Sequence, residues 1–377
     1  MREVYKVYYC KDVAEKIIKS EKIIIYGARI VANEVANCLQ GKPYNKEIYA
    51  FMVTDKNGNP ESLLGKPVIT IEEGKRCCKD VLVIIAVLEK YINDIKIKLN
   101  ENGFKNIIVC GFESDLWSEL RGNYFREVCV SKYGKYLTLE EEIEKFSTDV
   151  SKKVSIYSAK CHVDKELADK KEYPWEINIQ VGAALTDNIV SEIRDNIGEN
   201  ISDKNKKYCE LTALYWIWKN DQADFKGIGH YRRHFELDDG IIRKLSNSDI
   251  DVVLTIPILN FPSVRYMYAN DHIIEDWDIM LQILKEQHID YYNTALEFQN
   301  GIYYYAYNMF IARKEIFDEY CEWLFPILFE CEKRCKPKND KYQSRYIGFL
   351  SERLLSIFFL HNWNRWKIVH AKKNFLN

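Results

Sequence analysis

Over the first third of the chain, apolar runs of strand length alternate with segments of helical period. Lys22-Ile23-Ile24-Ile25-Tyr26-Gly27 is a short apolar run ending in glycine, and Ala28 to Leu39 follows with helical periodicity. Ile48–Val53, Val81–Leu88 and Asn106–Gly111 read as three further strands, and a helix from Asn93 to Asn102 is closed by Gly103. This alternation predicts an open parallel sheet, so residues 1–125 are expected to form a Rossmann-like domain. Residues 126–153 are charged and helical in pattern, with Thr138 as an N-cap before Glu140, Glu141 and Glu142. They read as a helical linker. A β-run from Val154 to Ala159 then opens a second domain, 154–377. The fold class expected is α/β in two domains, which about 150 residues per domain also suggests.

The second domain carries the denser polar punctuation. Leu211, Leu214, Tyr215 and Trp218 share one face of a helix, with Glu210 near its start. Phe225-Lys226-Gly227-Ile228-Gly229 reads as a short buried strand that delivers His230, Tyr231, Arg232 and Arg233 at its end. Its two glycines suggest close backbone approach. Ligands of α/β sheets sit at strand C-termini, and two adjacent arginines can grip a diphosphate bidentately. The plainer alternative is a surface basic patch or an internal salt bridge. Further on, Tyr304, Tyr307 and Asn308 lie in a tyrosine-rich stretch read as a strand, and Ser351-Glu352-Arg353 reads as the start of the helix Leu354 to Leu360.

In the first domain, Gly27-Ala28-Arg29-Ile30-Val31-Ala32 has Arg29 and Ala32 where a dinucleotide motif has its second and third glycines. A scaffold with no bound nucleotide is the leading reading. Arg29 on a phosphate, at a helix N-terminus, is the alternative.

Composition narrows the classes. A net charge of -2 gives no basic field for non-specific nucleic-acid binding. With 47% hydrophobic and 29% charged residues the chain has the profile of a soluble globular protein. No apolar run approaches the roughly 20 residues needed to span a bilayer, so any membrane association would be peripheral. Eleven cysteines show one adjacent pair, Cys77-Cys78, but no zinc spacing, and the charged stretch Met1 to Ser20 is not a signal peptide. The expected location is cytoplasmic, with the inner face of the plasma membrane left open. Aromatic residues reach 14%, which suits either core packing or the C–H faces of sugar rings.

Five segments, in order, resemble a bacterial family known as domain of unknown function 4422. They are Tyr208 to Asn220, Gly229-His230-Tyr231-Arg232-Arg233-His234-Phe235, Tyr304 to Ile311, Tyr320-Cys321-Glu322-Trp323-Leu324-Phe325, and Gly348 to Leu354. The resemblance covers about residues 154–370; His234 stands where the family more often has Tyr. It implies a GT-A-like glycosyltransferase domain of capsule or O-antigen synthesis. Such an enzyme would move a hexose, galactofuranose being one candidate, from a UDP-sugar to a saccharide or lipid-linked glycan acceptor. Asp55 to Pro60 followed by Leu64-Gly65-Lys66-Pro67-Val68-Ile69 resembles small Rossmann-like accessory domains beside sugar-modifying enzymes.

On this reading Ser158, Glu210, His230, Tyr231, Arg232 and Arg233 are candidates for donor binding. His272, Tyr307, Asn308 and Arg353 are candidates for acceptor binding, and Glu352, Asp276 and Asp239 for the general base. A metal-binding Asp-x-Asp would follow a central strand. Asp249-Ile250-Asp251 precedes one instead, and Asp276-Trp277-Asp278 sits in a helical pattern. No metal ligand is assigned, a Mn or Mg cofactor stays open, and the arginine pair is expected to replace the metal's charge. Two competitors are an NAD-dependent nucleotide-sugar-modifying enzyme built on residues 22–110 and a non-catalytic scaffold of a polysaccharide assembly complex. Oligomeric state has no sequence signal.

Overall fold

The structure is a computed structural model that describes residues 11–77, 81–112, 114–149, 152–167 and 173–376. Cys78 and residues 1–10 of the N-terminal segment lie outside the described residues. The chain divides into two compact units, Met1–Tyr136 and Leu137–Asn377.

The first unit contains strands β1 (Ile23–Tyr26), β2 (Ile48–Val53), β3 (Ser62–Leu63), β4 (Lys66–Thr70), β5 (Leu82–Ile85) and β6 (Ile107–Val109). Its helices are α1 (Lys11–Lys19), α2 (Ile30–Gln40), α3 (Ile71–Cys77), α4 (Ile92–Glu101) and α5 (Asp115–Tyr133). The sheet order is β3-β4-β2-β1-β5-β6, with only the β3–β4 pair antiparallel. The five parallel strands thus stand in the order third, second, first, fourth, fifth, the first five positions of a Rossmann sheet. β1 and β5 are buried on both faces, which is why they are continuous Ile, Leu and Val instead of alternating. Gly27 at the end of β1 has a φ of 129°, and a Cβ there would meet the Ala86 carbonyl oxygen at 2.6 Å. That glycine is fixed by the scaffold. Arg29 donates to the Gly58 carbonyl, so its guanidinium is turned to the loop after β2.

The second unit contains β7 (Leu137–Thr138), β8 (Val154–Lys160), β9 (Glu176–Gln180), β10 (Ile193–Arg194), β11 (Phe225–His230), β12 (Arg233–Phe235), β13 (Val252–Thr255), β14 (Ile258–Leu259), β15 (Tyr303–Tyr304), β16 (Phe310–Arg313), β17 (Ile368–Ala371) and β18 (Lys373–Phe375). Its helices are α6 (Leu139–Ile143), α7 (Asn205–Tyr208), α8 (Leu211–Asn220), α9 (Asp239–Ser246), α10 (Val264–Asp271), α11 (Ile274–Gln287), α12 (Ile289–Asn300), α13 (Lys314–Arg334) and α14 (Tyr346–His361). The main sheet runs β10-β9-β8-β11-β16-β13-β17-β7. Every neighbouring pair is parallel except the two made by β16. The order reverses between β8 and β11, so the crevice where α/β sheets bind ligands opens at their C-terminal ends. Both units are α/β, as expected.

No free linker separates the units. Residues 126–133 are the last two turns of α5, and Leu137–Thr138 joins the main sheet beside β17. Thr138 does cap a helix, accepting from the Glu141 N–H at 3.3 Å, but that helix is the single turn α6, whose Leu139 and Ile143 enter the core. The acidic pattern hid two buried apolar positions, and these anchor the segment.

Candidate functional site

β11 builds the floor of the site. A Cβ on Gly227 would come within 2.7 Å of Ile311 in β16, and one on Gly229 within 3.2 Å of the Arg233 carbonyl. The first glycine lets the Ile311 side chain cross the strand; the second lets the chain fold back at once. β11 ends at His230, parallel to Ala159 of β8, and the Tyr231 N–H donates to the Ala159 carbonyl at 3.1 Å. The chain then returns as β12, so that Arg232 and Arg233 lie at the C-terminal edge of the switch-point strands.

Both guanidiniums are held by the C-terminal strand. β18 pairs antiparallel with β12, Arg233 opposite Phe375. Arg232 lies over the Phe375 ring at 4.6 Å and donates from Nε to the Leu376 carbonyl at 3.3 Å. Arg233 lies over Tyr307 at 4.1 Å and over Phe375 at 5.1 Å. Among the described residues neither forms an ion pair with a carboxylate, and the buried Arg233 Nε has no hydrogen-bond partner. Among the described residues the pair therefore shows no internal salt bridge. Phe375, which the sequence reading passed over, is a lone aromatic with no periodic partner and signals nothing by itself.

Opposite the arginines is a two-residue turn, Tyr307-Asn308, with φ of 70° and 51°. The expected tyrosine-rich strand stops at Tyr304, so strand alternation does not apply to these residues. Left-handed backbone costs of order 1–3 kcal/mol per non-glycine residue and persists only where the surroundings over-determine it. Here they do. The Glu352 carboxylate accepts from the Tyr307 N–H at 2.8 Å. His230 Nε2 meets the Tyr307 carbonyl at 2.6 Å. The buried Asn308 amide donates to Glu210 at 2.7 Å and accepts from the Ser351 hydroxyl at 2.9 Å. Residues from β11, the start of α8 and α14 thus meet on one turn.

The charges follow from this packing. A carbonyl partner requires His230 Nε2 to carry the proton, and burial, opposed by Glu210 and assisted by Arg233, holds its pKa below 6.5. His230 is therefore a neutral donor to the backbone and adds no cation to the arginine pair. Burial raises the Glu352 carboxyl above 4.5, against the neighbouring Arg353, while Glu210 pushes the same way. Glu352 is in the second turn of α14, not at a helix start as the sequence suggested, so a helix-dipole role does not account for it. Arg353 is buried. It donates to Glu352 at 2.7 Å and to the Phe349 carbonyl at 3.0 Å, with Tyr304 at 4.4 Å from its guanidinium. Its place is behind Glu352, holding that carboxylate.

Other expected residues fall elsewhere. Ser158 is fully buried within β8, next to Glu176. Glu176 meets His234 Nδ1 at 2.6 Å, and His234 Nε2 faces the Tyr231 carbonyl at 3.0 Å, so this pair braces the turn that carries Arg232. Asp276 is buried in an ion pair with Lys338 at 2.7 Å, beside Cys335. Asp239 is exposed in the first turn of α9, whose cap is Asp238. His272 is stacked on Phe349 at 4.0 Å. The Asp-x-Asp candidates are neutralised one by one: Asp249 by Lys367 at 2.6 Å, Asp251 by Arg313 at 2.9 Å and Asp278 by Arg265 at 2.7 Å. Among the described residues no group of three or more His, Cys, Asp or Glu side chains is placed to hold a metal ion. One residue the sequence reading missed is Asp164, in the loop after β8. Its carboxyl is raised by burial and faces His230 and Arg232; its position after a switch-point strand was the available signal.

The family model described as domain of unknown function (DUF4422) matches residues 155–363. The chain belongs to the DUF4422 family. No curated protein matches it. A solved structure described as a WbbM bifunctional glycosyltransferase in its apo form is 27% identical, with a TM-score of 0.54. The match covers 60% of this chain and 45% of that one, so this chain spans less than half the length of that structure. The match agrees with the α/β fold and places a glycosyltransferase among its structural neighbours. Four of the five motifs of the DUF4422 segment meet at the site: Glu210, His230 and Glu352 come from three of them and bond the Tyr307-Asn308 turn of a fourth, while Tyr320 to Phe325 lies in α13, mostly buried.

Proposed function

We propose that the DUF4422 unit is a glycosyltransferase that moves a hexosyl group from a UDP-sugar to a saccharide or lipid-linked glycan acceptor in surface-polysaccharide synthesis. The observation that carries this reading is the arginine pair. Two guanidiniums that form no ion pair with a carboxylate among the described residues sit at the C-terminal edge of the switch-point strands, and Arg233 lies over the ring of Tyr307, whose turn is gripped by the half-buried Glu352 carboxylate. Arg232 and Arg233 would bind the donor diphosphate and stabilise the charge that grows on it as the glycosyl bond breaks. Glu352, desolvated and oriented by Arg353, would take the proton of the attacking acceptor hydroxyl. Asp276 and Asp239 lack this setting, and Glu210 is the second carboxylate on the turn. The neutralised Asp-x-Asp pairs favour guanidinium charge over a divalent cation at the diphosphate. The WbbM structure is described as a glycosyltransferase, and this supports the reaction class.

The first unit serves as an accessory domain on this account. Its Rossmann order fits an NAD site, but Arg29 occupies the position where the motif needs a glycine and is turned to the Gly58 carbonyl. A thermal-shift comparison of UDP, UDP-sugars and NAD separates the readings. Stabilisation by UDP and not by NAD is expected. A shift with NAD alone would favour an NAD-dependent nucleotide-sugar-modifying enzyme, and no shift with any of them a scaffold.

A further inference from the structure

We propose that Tyr342, flanked by Asp271 and Arg345, is a stacking subsite for a saccharide ring of the acceptor; the assignment to the acceptor rests on the transferase reading above. Tyr342 is 50% exposed, yet it is not a loose surface ring. It stacks on His272 with centroids 5.8 Å apart and planes at 22°, and His272 stacks on Phe349 at 4.0 Å and 21°. Tyr342 also meets Phe349 directly at 5.1 Å. The three rings, from three segments, form a cluster of mutual contacts in which His272 and Phe349 are half-buried and Tyr342 is open to water.

His272 is suited to backing the Tyr342 ring and not to proton transfer. Burial and the nearby Arg353 hold the His272 pKa down to about 3, so the imidazole is neutral, and its buried Nδ1 has no hydrogen-bond partner among the described residues. Gln343, next to Tyr342, donates to the Asp271 carbonyl at 3.0 Å and ties the turn to the end of α10. A ring held this way loses little freedom when a ligand lands on it.

The chemistry around the open ring fits a sugar better than an apolar partner. An aromatic face accepts the C–H face of a pyranose or furanose, and the hydroxyls at its rim then need polar groups. Asp271 and Arg345 supply a carboxylate and a guanidinium whose charges act on Tyr342. Arg345 itself donates from Nε to the Cys209 thiol at 3.1 Å, next to Glu210, so it links the platform to the Tyr307 turn. Glu352 also acts electrostatically on Tyr342. The Phe349 carbonyl accepts from Arg353, which also donates to Glu352, so the platform lies on the side of the site that holds the proposed base, where an acceptor has to arrive.

The test is saturation-transfer NMR of a galactose-terminated oligosaccharide with the full chain and UDP. The same binding is measured for Tyr342→Ala and Tyr342→Phe, each checked for an unchanged circular-dichroism melt. Transfer to the sugar ring is expected with the parent and Tyr342→Phe. Tyr342→Ala should weaken binding by about tenfold. Absence of transfer with the parent protein, or equal binding by folded Tyr342→Ala, would overturn the subsite. Tyr342-dependent binding in a chain that releases no UDP from any UDP-sugar would sink the transferase reading instead and leave the subsite standing.

Discussion

Glu352 carries the clearest consequence at the scale of single residues. A base must be ionised to accept a proton, and burial lifts this carboxyl above 4.5. Lowering the pH should therefore protonate it earlier than an exposed glutamate. The acid limb of kcat/KM is expected above the usual carboxylate range, and Glu352→Gln should cut kcat by roughly 10²–10⁴-fold while abolishing that limb. A pH–rate profile checks both; an unshifted limb in the variant would assign the proton to another group. Tyr307 shows why such sites are hard to read in advance. A tyrosine in left-handed backbone has no local sequence signature, and only the contacts of His230, Glu210 and Glu352 make it tenable. The arginine pair was legible because two glycines and four polar residues in a row are improbable in a buried strand. Phe375 and Tyr342 were not, because single aromatics carry no period.

Elements were easier to read than the residues that join them. Runs such as Ile23–Tyr26 and Val252–Thr255 are buried on both faces and announce parallel-sheet strands. Where the reading failed, tertiary contacts had overruled a local pattern. Glu140 to Glu142 read as a solvated helix although Leu139 and Ile143 enter the core, and Ser351-Glu352 read as a helix start although Tyr346 to Leu350 already form the first turn. β11 carries a further element-scale feature that its alternation conceals. Lys226 is fully buried in this strand, paired with Asp318 of α13 at 2.8 Å, and Lys314 reaches the same carboxylate at 2.6 Å. Removing one partner of a buried pair strands the other charge, a cost of about 3–5 kcal/mol. Asp318→Ala should lower stability by that order in denaturant titration, with loss of activity following from a loosened β11. An unchanged midpoint would show that water reaches Lys226.

For the whole molecule, the chain divides into two α/β units, and the DUF4422 match over residues 155–363 lies in the second. Among the described residues no helix is long and apolar enough to cross a membrane. On the proposed function, Arg232 and Arg233 supply the charge that binds the donor diphosphate. The most direct measurement is UDP release from a panel of UDP-sugars, with and without a galactose-terminated acceptor, in EDTA. The account predicts acceptor-dependent release that persists in EDTA. It also predicts a fall of roughly 10²–10³-fold in Arg233→Ala, and impairment in Arg232→Lys, where charge is kept but bidentate geometry is lost. Activity abolished by EDTA and restored by manganese, with Arg233→Ala as active as the parent, would contradict it.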